Sequence, residues 1–299
     1  MIKISFLLCF SYSATALEQP VSDFIGLDAA LKLHRESDIK KKEIKVAVHD
    51  ISFFGHHIFL KGLLDKELVS PPLGLMSPHG SAVSQIIAHP KWGVNPKVKF
   101  LSLTKGIDTE DIEKATTQMI EKGIRLLNIS LFLKNEDIVK SLNNFIDQGG
   151  IVIASAGNAA KRLGKDLPAH YENFKGLTVS ACDLKGNLQD FSHHQDGKSI
   201  MAPGQTDLLR VDYLRYPTRV IEDPKYLVEG FRVVPHMFGM TSGATPVVTG
   251  LVSLALELKP DLTQREVNHL LHASAKYNNI GLPYINAKNF IDMVLGSSK

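Results

Sequence analysis

Residues 97–155 read KVKFLSLTKGIDTEDIEKATTQMIEKGIRLLNISLFLKNEDIVKSLNNFIDQGGIVIAS. Three short apolar runs stand out: 97–103 (KVKFLSL), 126–130 (LLNIS) and 151–155 (IVIAS). Each has the length and the branched side chains of a buried strand. Helical patterns lie between them. Thr109 to Lys122 puts Ile112, Ala115, Met119 and Ile120 on one face, and Asn135 to Gln148 does the same with Ile138, Leu142, Phe145 and Ile146. Gly123 and Gly149 then follow, where helices commonly stop. Strand, helix, strand at this spacing predicts right-handed crossovers and a mostly parallel sheet with helices on both faces.

The alternation begins upstream, at the valine-rich run Lys45 to His49 (KVAVH), and continues toward the C-terminus without an internal repeat or a low-complexity linker. One three-layer α/β domain over residues 44–296 is the simplest organisation. Residues 17–43 before it form a short polar extension, with a short helix expected around Asp28 to Glu36 and a solvated run at Lys40-Lys41-Lys42. Residues 1–16 read as a secretory signal: Lys3 supplies positive charge, Ile4 to Tyr12 are mostly apolar, and Ala14-Thr15-Ala16 places small residues at the cleavage positions. The expected location is therefore secreted or periplasmic. Cleavage after Ala16 removes Cys9 and leaves Cys182 as a lone, buried thiol.

Composition narrows the function classes. The 299 residues are 44% hydrophobic and 22% charged, as in ordinary globular proteins. The net charge of +3 is spread over 34 basic and 31 acidic side chains, so nucleic acid is not an expected partner. Two cysteines exclude a disulfide framework. The apolar run at the N-terminus is too short to span a bilayer, so no stable membrane span is expected. His49, His56, His57, His193 and His194 show no metal-ligand spacing and are read as solvated or satisfied, so no metal site is assigned.

In open parallel sheets, chemistry gathers at the carboxyl ends of the strands. Asp50 directly follows the first strand, and His79 precedes an apolar helical stretch. Asn158 follows the strand 151–155, and Ser242 opens a long apolar helix running to about Leu258. A hydroxyl becomes a nucleophile when a base takes its proton, and His79 can be that base for Ser242. A carboxylate behind the imidazole fixes its tautomer, which Asp50 can do. The Asn158 amide and the helix start at Ser242 can both stabilise an oxyanion. Taken singly, Asp50 reads as a turn residue, Ser242 as a helix cap and Asn158 as a turn residue.

Together these segments resemble the subtilisin-like serine proteases. The matching stretches are VAVHD (46–50), PHGSAVSQIIA (78–88), NIS (128–130), VIASAGNAA (152–160), DFSHH (190–194) with MAPG (201–204), TSGATPVVTGLVSLAL (241–256) and PYINAKNFIDMV (283–294). The order Asp, His, Ser is also that family's order. The resemblance implies a subtilisin-like fold with Asp50, His79 and Ser242 as triad and Asn158 in the oxyanion hole. It further implies that a polypeptide substrate lies along Ser130, Leu131 and Phe132 on one side and Ser155, Ala156 and Gly157 on the other. Relatives often bind calcium through loop oxygens; no such ligand set is placed in this chain, and calcium stays open as a cofactor.

The chain departs from the family at several positions. Ile51-Ser52 replaces Ser/Thr-Gly after the aspartate, and Ser81-Ala82 replaces Thr-His after His-Gly. Gly243 and Val247 stand where Met and His are usual, while Met240 and Phe132 each replace a glycine. Gln205 to Phe238 is long for a connection and carries strand-type residues, so a hairpin-like flap beside the cleft is expected. Three readings stay open: an exported serine endopeptidase, a catalytically impaired relative that binds peptides or a protein, and an esterase using the same triad.

Overall fold

A computed structural model describes residues 19–51, 79–98, 100–105, 108–164, 166–205, 209–215 and 232–296. The proposed signal (1–16) with Cys9, the residues His56 and His57, and the flap's tip lie outside the described residues.

The chain enters with two helices, α1 (Gln19–Ile25) and α2 (Leu27–Glu36), then β1 (Lys45–Asp50) and α3 (His79–Ala88). The expected alternation β2 (Phe100–Lys105), α4 (Thr109–Glu121), β3 (Leu126–Ile129), α5 (Glu136–Asp147), β4 (Ile151–Ser155) follows, with β2 at 100–105 rather than at 97–103. A short helix α6 (Ala160–Leu163), β5 (Leu177–Cys182), β6 (Ser199–Pro203) and the pair β7 (Leu209–Arg215) and β8 (Arg232–Phe238) come next. The chain ends with α7 (Met240–Leu258), α8 (Gln264–Ala273), β9 (Lys276–Tyr277), β10 (Pro283–Tyr284) and α9 (Ala287–Gly296).

Eight strands form one sheet in the order β2-β1-β3-β4-β5-β6-β10-β9. All pair in parallel except β9, which runs antiparallel to β10 at the edge. Register explains the two cores. Val46 and Val48, Leu126, Ile151 and Ile153 join the core beneath α3, α7 and α9, while Ala47, Leu127, Ile129, Val152 and Ala154 join the one beneath α4 and α5. That alternation is the two-residue period of a strand, here with both faces buried. Caps set the helix starts: Asn135 Oδ1 accepts from the Ile138 amide at 3.0 Å, and Thr263 with Glu266 forms a capping box.

The N-terminal extension is more than a solvated tail. Val21, Ile25, Leu27 and Ala30 are fully buried in the larger core, and Phe24 stacks on Tyr284 at 5.1 Å. At its far end His34 Nε2 meets Glu257 Oε2 of α7 at 3.0 Å, and Asn95 Nδ2 donates to Glu257 Oε1 at 2.7 Å. The extension is thereby bound to the helix that carries Ser242.

Candidate active site

The segments after β3 and β4 meet the start of α7 through Ser130 and Asn158, and the carboxyl end of β1 meets α3 through Asp50 and His79. Asp50, last residue of β1, is fully buried. Its Oδ1 accepts from the Ile51 amide at 2.7 Å, and both its oxygens lie against His79 Nδ1, at 2.8 and 2.9 Å. An ionised carboxylate only accepts, so Nδ1 carries the proton and Nε2 is left as the basic nitrogen. Phe238 holds the ring from the side, edge-on with centroids 5.3 Å apart.

Ser242 lies in the first turn of α7, where helix amides have no partner within the helix. Asn158 supplies one from outside: its Oδ1 accepts from the Thr241 amide at 3.1 Å and the Thr241 hydroxyl at 2.8 Å. With that oxygen engaged, the exposed Asn158 turns its Nδ2 donor the other way. A second tie comes from Pro246, which sits inside α7. Proline has no N–H, so the carbonyl four residues back, that of Ser242, loses its helical donor. Ser130 Oγ takes that role at 3.0 Å, and Asn128 and Thr249 continue the network behind it at 3.1 and 2.8 Å. The Ser242 hydroxyl in turn donates to the Ser130 carbonyl at 3.1 Å.

Met240, two residues before Ser242, takes φ 62°, and is the non-glycine residue with positive φ among the described residues. The turn before Ser242 is thus held by an L-residue in the left-handed region. The Met240 amide is fixed by the Gly204 carbonyl at 2.6 Å. A Cβ on Gly204 would in turn stand 2.6 Å from the Met240 carbonyl, so that neighbour has to be glycine.

The two segments expected to flank a substrate are brought together. Ser155 Oγ donates to the Leu131 carbonyl at 2.9 Å, and Phe132 lies on Gly157 so closely that a Cβ there would meet its ring at 2.5 Å. Phe132 is also ringed by Tyr171, His170 and His193, with centroids 5.7, 6.1 and 6.2 Å away. Strands β7 and β8 pair antiparallel, so the described part of the expected flap is a two-stranded ribbon, and its Leu209 lies against Gly243 of α7. Of the histidines read as solvated or satisfied, His49, His193 and His194 are buried, at 1%, 0% and 6% exposed. Sequence reading missed Ser130 as the surrogate donor for α7, although a proline four residues after Ser242 was the available signal. Among the described residues, no group of three or more His, Cys, Asp or Glu could hold a metal ion. The one described helix long and apolar enough to cross a membrane is α7, which is buried inside the fold.

The Subtilase family model matches residues 41–288. The chain belongs to the subtilase family. Among curated relatives, thermitase of Thermoactinomyces vulgaris is 26% identical over 169 residues, 54% of this chain and 53% of thermitase. The match thus spans about half the length of that relative. The prenylagaramide maturation protease PagA superposes with a TM-score of 0.63 at 23% identity, covering 89% of this subtilase and 98% of PagA. A cold-adapted subtilisin-like serine proteinase gives a TM-score of 0.63 at 16% identity, covering 84% and 91%. Both likenesses bear on fold.

Proposed function

We propose that this subtilase is an exported serine endopeptidase that cleaves peptide bonds through an acyl-enzyme on Ser242. The observation that carries the reading is the buried Asp50 holding His79 Nδ1 at 2.8 Å, with Ser242 opening α7 beside Asn158, in a chain of the subtilase family. In this mechanism His79 Nε2 takes the Ser242 proton as Oγ attacks the substrate carbonyl. Asp50 holds the imidazole in the required tautomer and stabilises the imidazolium. The Asn158 Nδ2 donor and the start of α7 stabilise the oxyanion; in subtilisin, losing the corresponding amide costs ~10²–10³ in turnover. His79 then protonates the leaving amine, and water repeats the cycle to release the acid. The N-terminal Lys3, the apolar run after it and Ala14-Thr15-Ala16 support export. Phe132 and the β7–β8 ribbon support a restricted enzyme that acts on extended, exposed segments.

A second reading, an impaired relative that binds peptides, draws on one observation. The hydroxyl of Ser242 has a single proton, and it is given to the Ser130 carbonyl rather than to His79. The endopeptidase reading then requires Ser242 to rotate about its side-chain bond before attack. Labelling with a fluorophosphonate probe separates the two: the intact protein is expected to label and Ser242→Ala is not. Equal labelling of both, or of neither, would remove the endopeptidase reading.

A further inference from the structure

His193 has an unusual environment for a histidine. The residue is 0% exposed. Its Nδ1 lies 2.8 Å from the Asp166 carbonyl, which can only accept, so Nδ1 bears a proton. In the neutral ring Nε2 is then a bare acceptor, and it has no hydrogen-bond partner among the described residues. A buried polar atom in that state is costly, and such exceptions call for an explanation.

The position of Nε2 supplies one. The adjacent ring atom, Cδ2, lies 3.4 Å from where a Cβ on Gly157 would stand. Gly157 immediately precedes Asn158, and on the other side the Ser130 carbonyl accepts from Ser242 Oγ at 3.1 Å. The resemblance to subtilisin-like proteases puts the substrate between the 130–132 and 155–157 segments, so the side chain on the residue whose carbonyl Ser242 attacks is taken to enter there, where Ser155 Oγ is tied to the Leu131 carbonyl. We propose that His193 determines specificity there, its Nε2 accepting a hydrogen bond from a serine or threonine hydroxyl on the residue whose carbonyl Ser242 attacks. This rests on Ser242 as the nucleophile.

The occupant follows from the walls. Phe132 packs on Gly157 and must turn its ring aside for a side chain to reach Nε2, which favours small groups. A lysine would bring an unpaired charge into a buried, largely aromatic setting of Phe132, Tyr171 and His193. A hydroxyl is small, neutral and a donor, and it satisfies the His193 Nε2 that lacks a hydrogen-bond partner among the described residues.

Threonine and valine have nearly the same shape, so they isolate the hydroxyl. Peptides identical except for Thr or Val before the scissile bond are expected to differ about tenfold in kcat/KM, with Thr preferred, and His193→Phe is expected to bring the ratio near one. A second measurement avoids turnover. In histidine-¹⁵N-labelled Ser242→Ala protein, the His193 Nε2 resonance is assigned by its loss in the Ser242→Ala, His193→Phe double variant. Saturating Thr peptide is expected to shift it and Val peptide is not. Equal turnover of the two peptides, or an Nε2 resonance that Thr peptide leaves unmoved, overturns the proposal. A Thr-specific shift in a protein that neither cleaves peptides nor labels with the fluorophosphonate would retain His193 as a recognition residue and remove the catalytic reading alone.

Discussion

Met240 tests whether backbone strain is stored beside Ser242. Its φ of 62° lies in the left-handed region, which costs an L-residue roughly 1–2 kcal/mol relative to its ordinary conformations. The conformation is held because the Met240 amide is bonded to Gly204 and the next two residues are tied to Asn158 and Ser130. Met240→Gly releases the strain. It also loosens the unfolded chain, a penalty of roughly 0.5–1 kcal/mol relative to alanine. Either substitution removes the Met240 side chain, which is 37% exposed, so the comparison that isolates the backbone is Met240→Gly against Met240→Ala. Taking the middle of each range, about 1.5 less about 0.75, leaves glycine the more stable by about 0.75 kcal/mol.

The sign carries the information. At an exposed helix-interior position such as Lys140 of α5, alanine is favoured over glycine by roughly 0.5–1 kcal/mol. The expected result is therefore an inversion: glycine above alanine at 240, alanine above glycine at 140. Urea midpoints of the four variants measure it, and thermal midpoints should separate by roughly 1–3 °C for a chain of this size. If alanine equals or exceeds glycine at 240 while position 140 behaves normally, the left-handed turn is not strained and the reasoning fails.

Four further outcomes are expected. Asp50→Asn and His79→Ala should each lower peptide turnover by on the order of 10³–10⁶ while leaving the circular-dichroism spectrum intact; near-parental rates would remove them from the mechanism. Ser130→Ala leaves the Ser242 carbonyl without its surrogate donor, so stability should fall by about 1 kcal/mol and the probe-labelling rate should fall with it; an unchanged urea midpoint would refute the tie across Pro246. Leu27→Ala should cost about 2–5 kcal/mol because Leu27 is fully buried in the main core; a loss below about 1 kcal/mol would mean that the extension is dispensable. Burial lowers the pKa of His194 below the ordinary histidine value, with Asp196 opposing and His272 adding to the effect. The unfolded chain then binds the proton first, so stability should drop as pH falls below about 6.5, and His194→Gln should flatten that slope in urea titrations between about pH 5 and 8. Equal slopes in both proteins would count against a buried, neutral His194.

What can be read from the sequence depends on how local its cause is. The runs at 45–49, 126–130 and 151–155 are strands because parallel strands covered on both faces need continuous branched apolar side chains, and little else explains such runs. Asp50, His79, Asn158 and Ser242 are recognisable because each sits at an element's end, in a stretch whose residue types match a known pattern. The extension reads as polar for a physical reason. Its buried residues Val21, Ile25, Leu27 and Ala30 are divided between two helices of 7 and 10 residues broken at Gly26, so neither carries a long apolar face. His193 is beyond reach for a different one: a histidine's letter is the same whether its ring is solvated or sealed behind an aromatic side chain. Phe132 is one of the rings beside His193, and in the sequence it stands out only as a bulky replacement for glycine. The two residues thus belong together. A phenylalanine over Gly157 shuts out large side chains, and the histidine behind it offers a lone acceptor to small ones. Neither residue alone would suggest selection for a hydroxyl, whereas their approach beside Gly157, with ring centroids 6.2 Å apart, does.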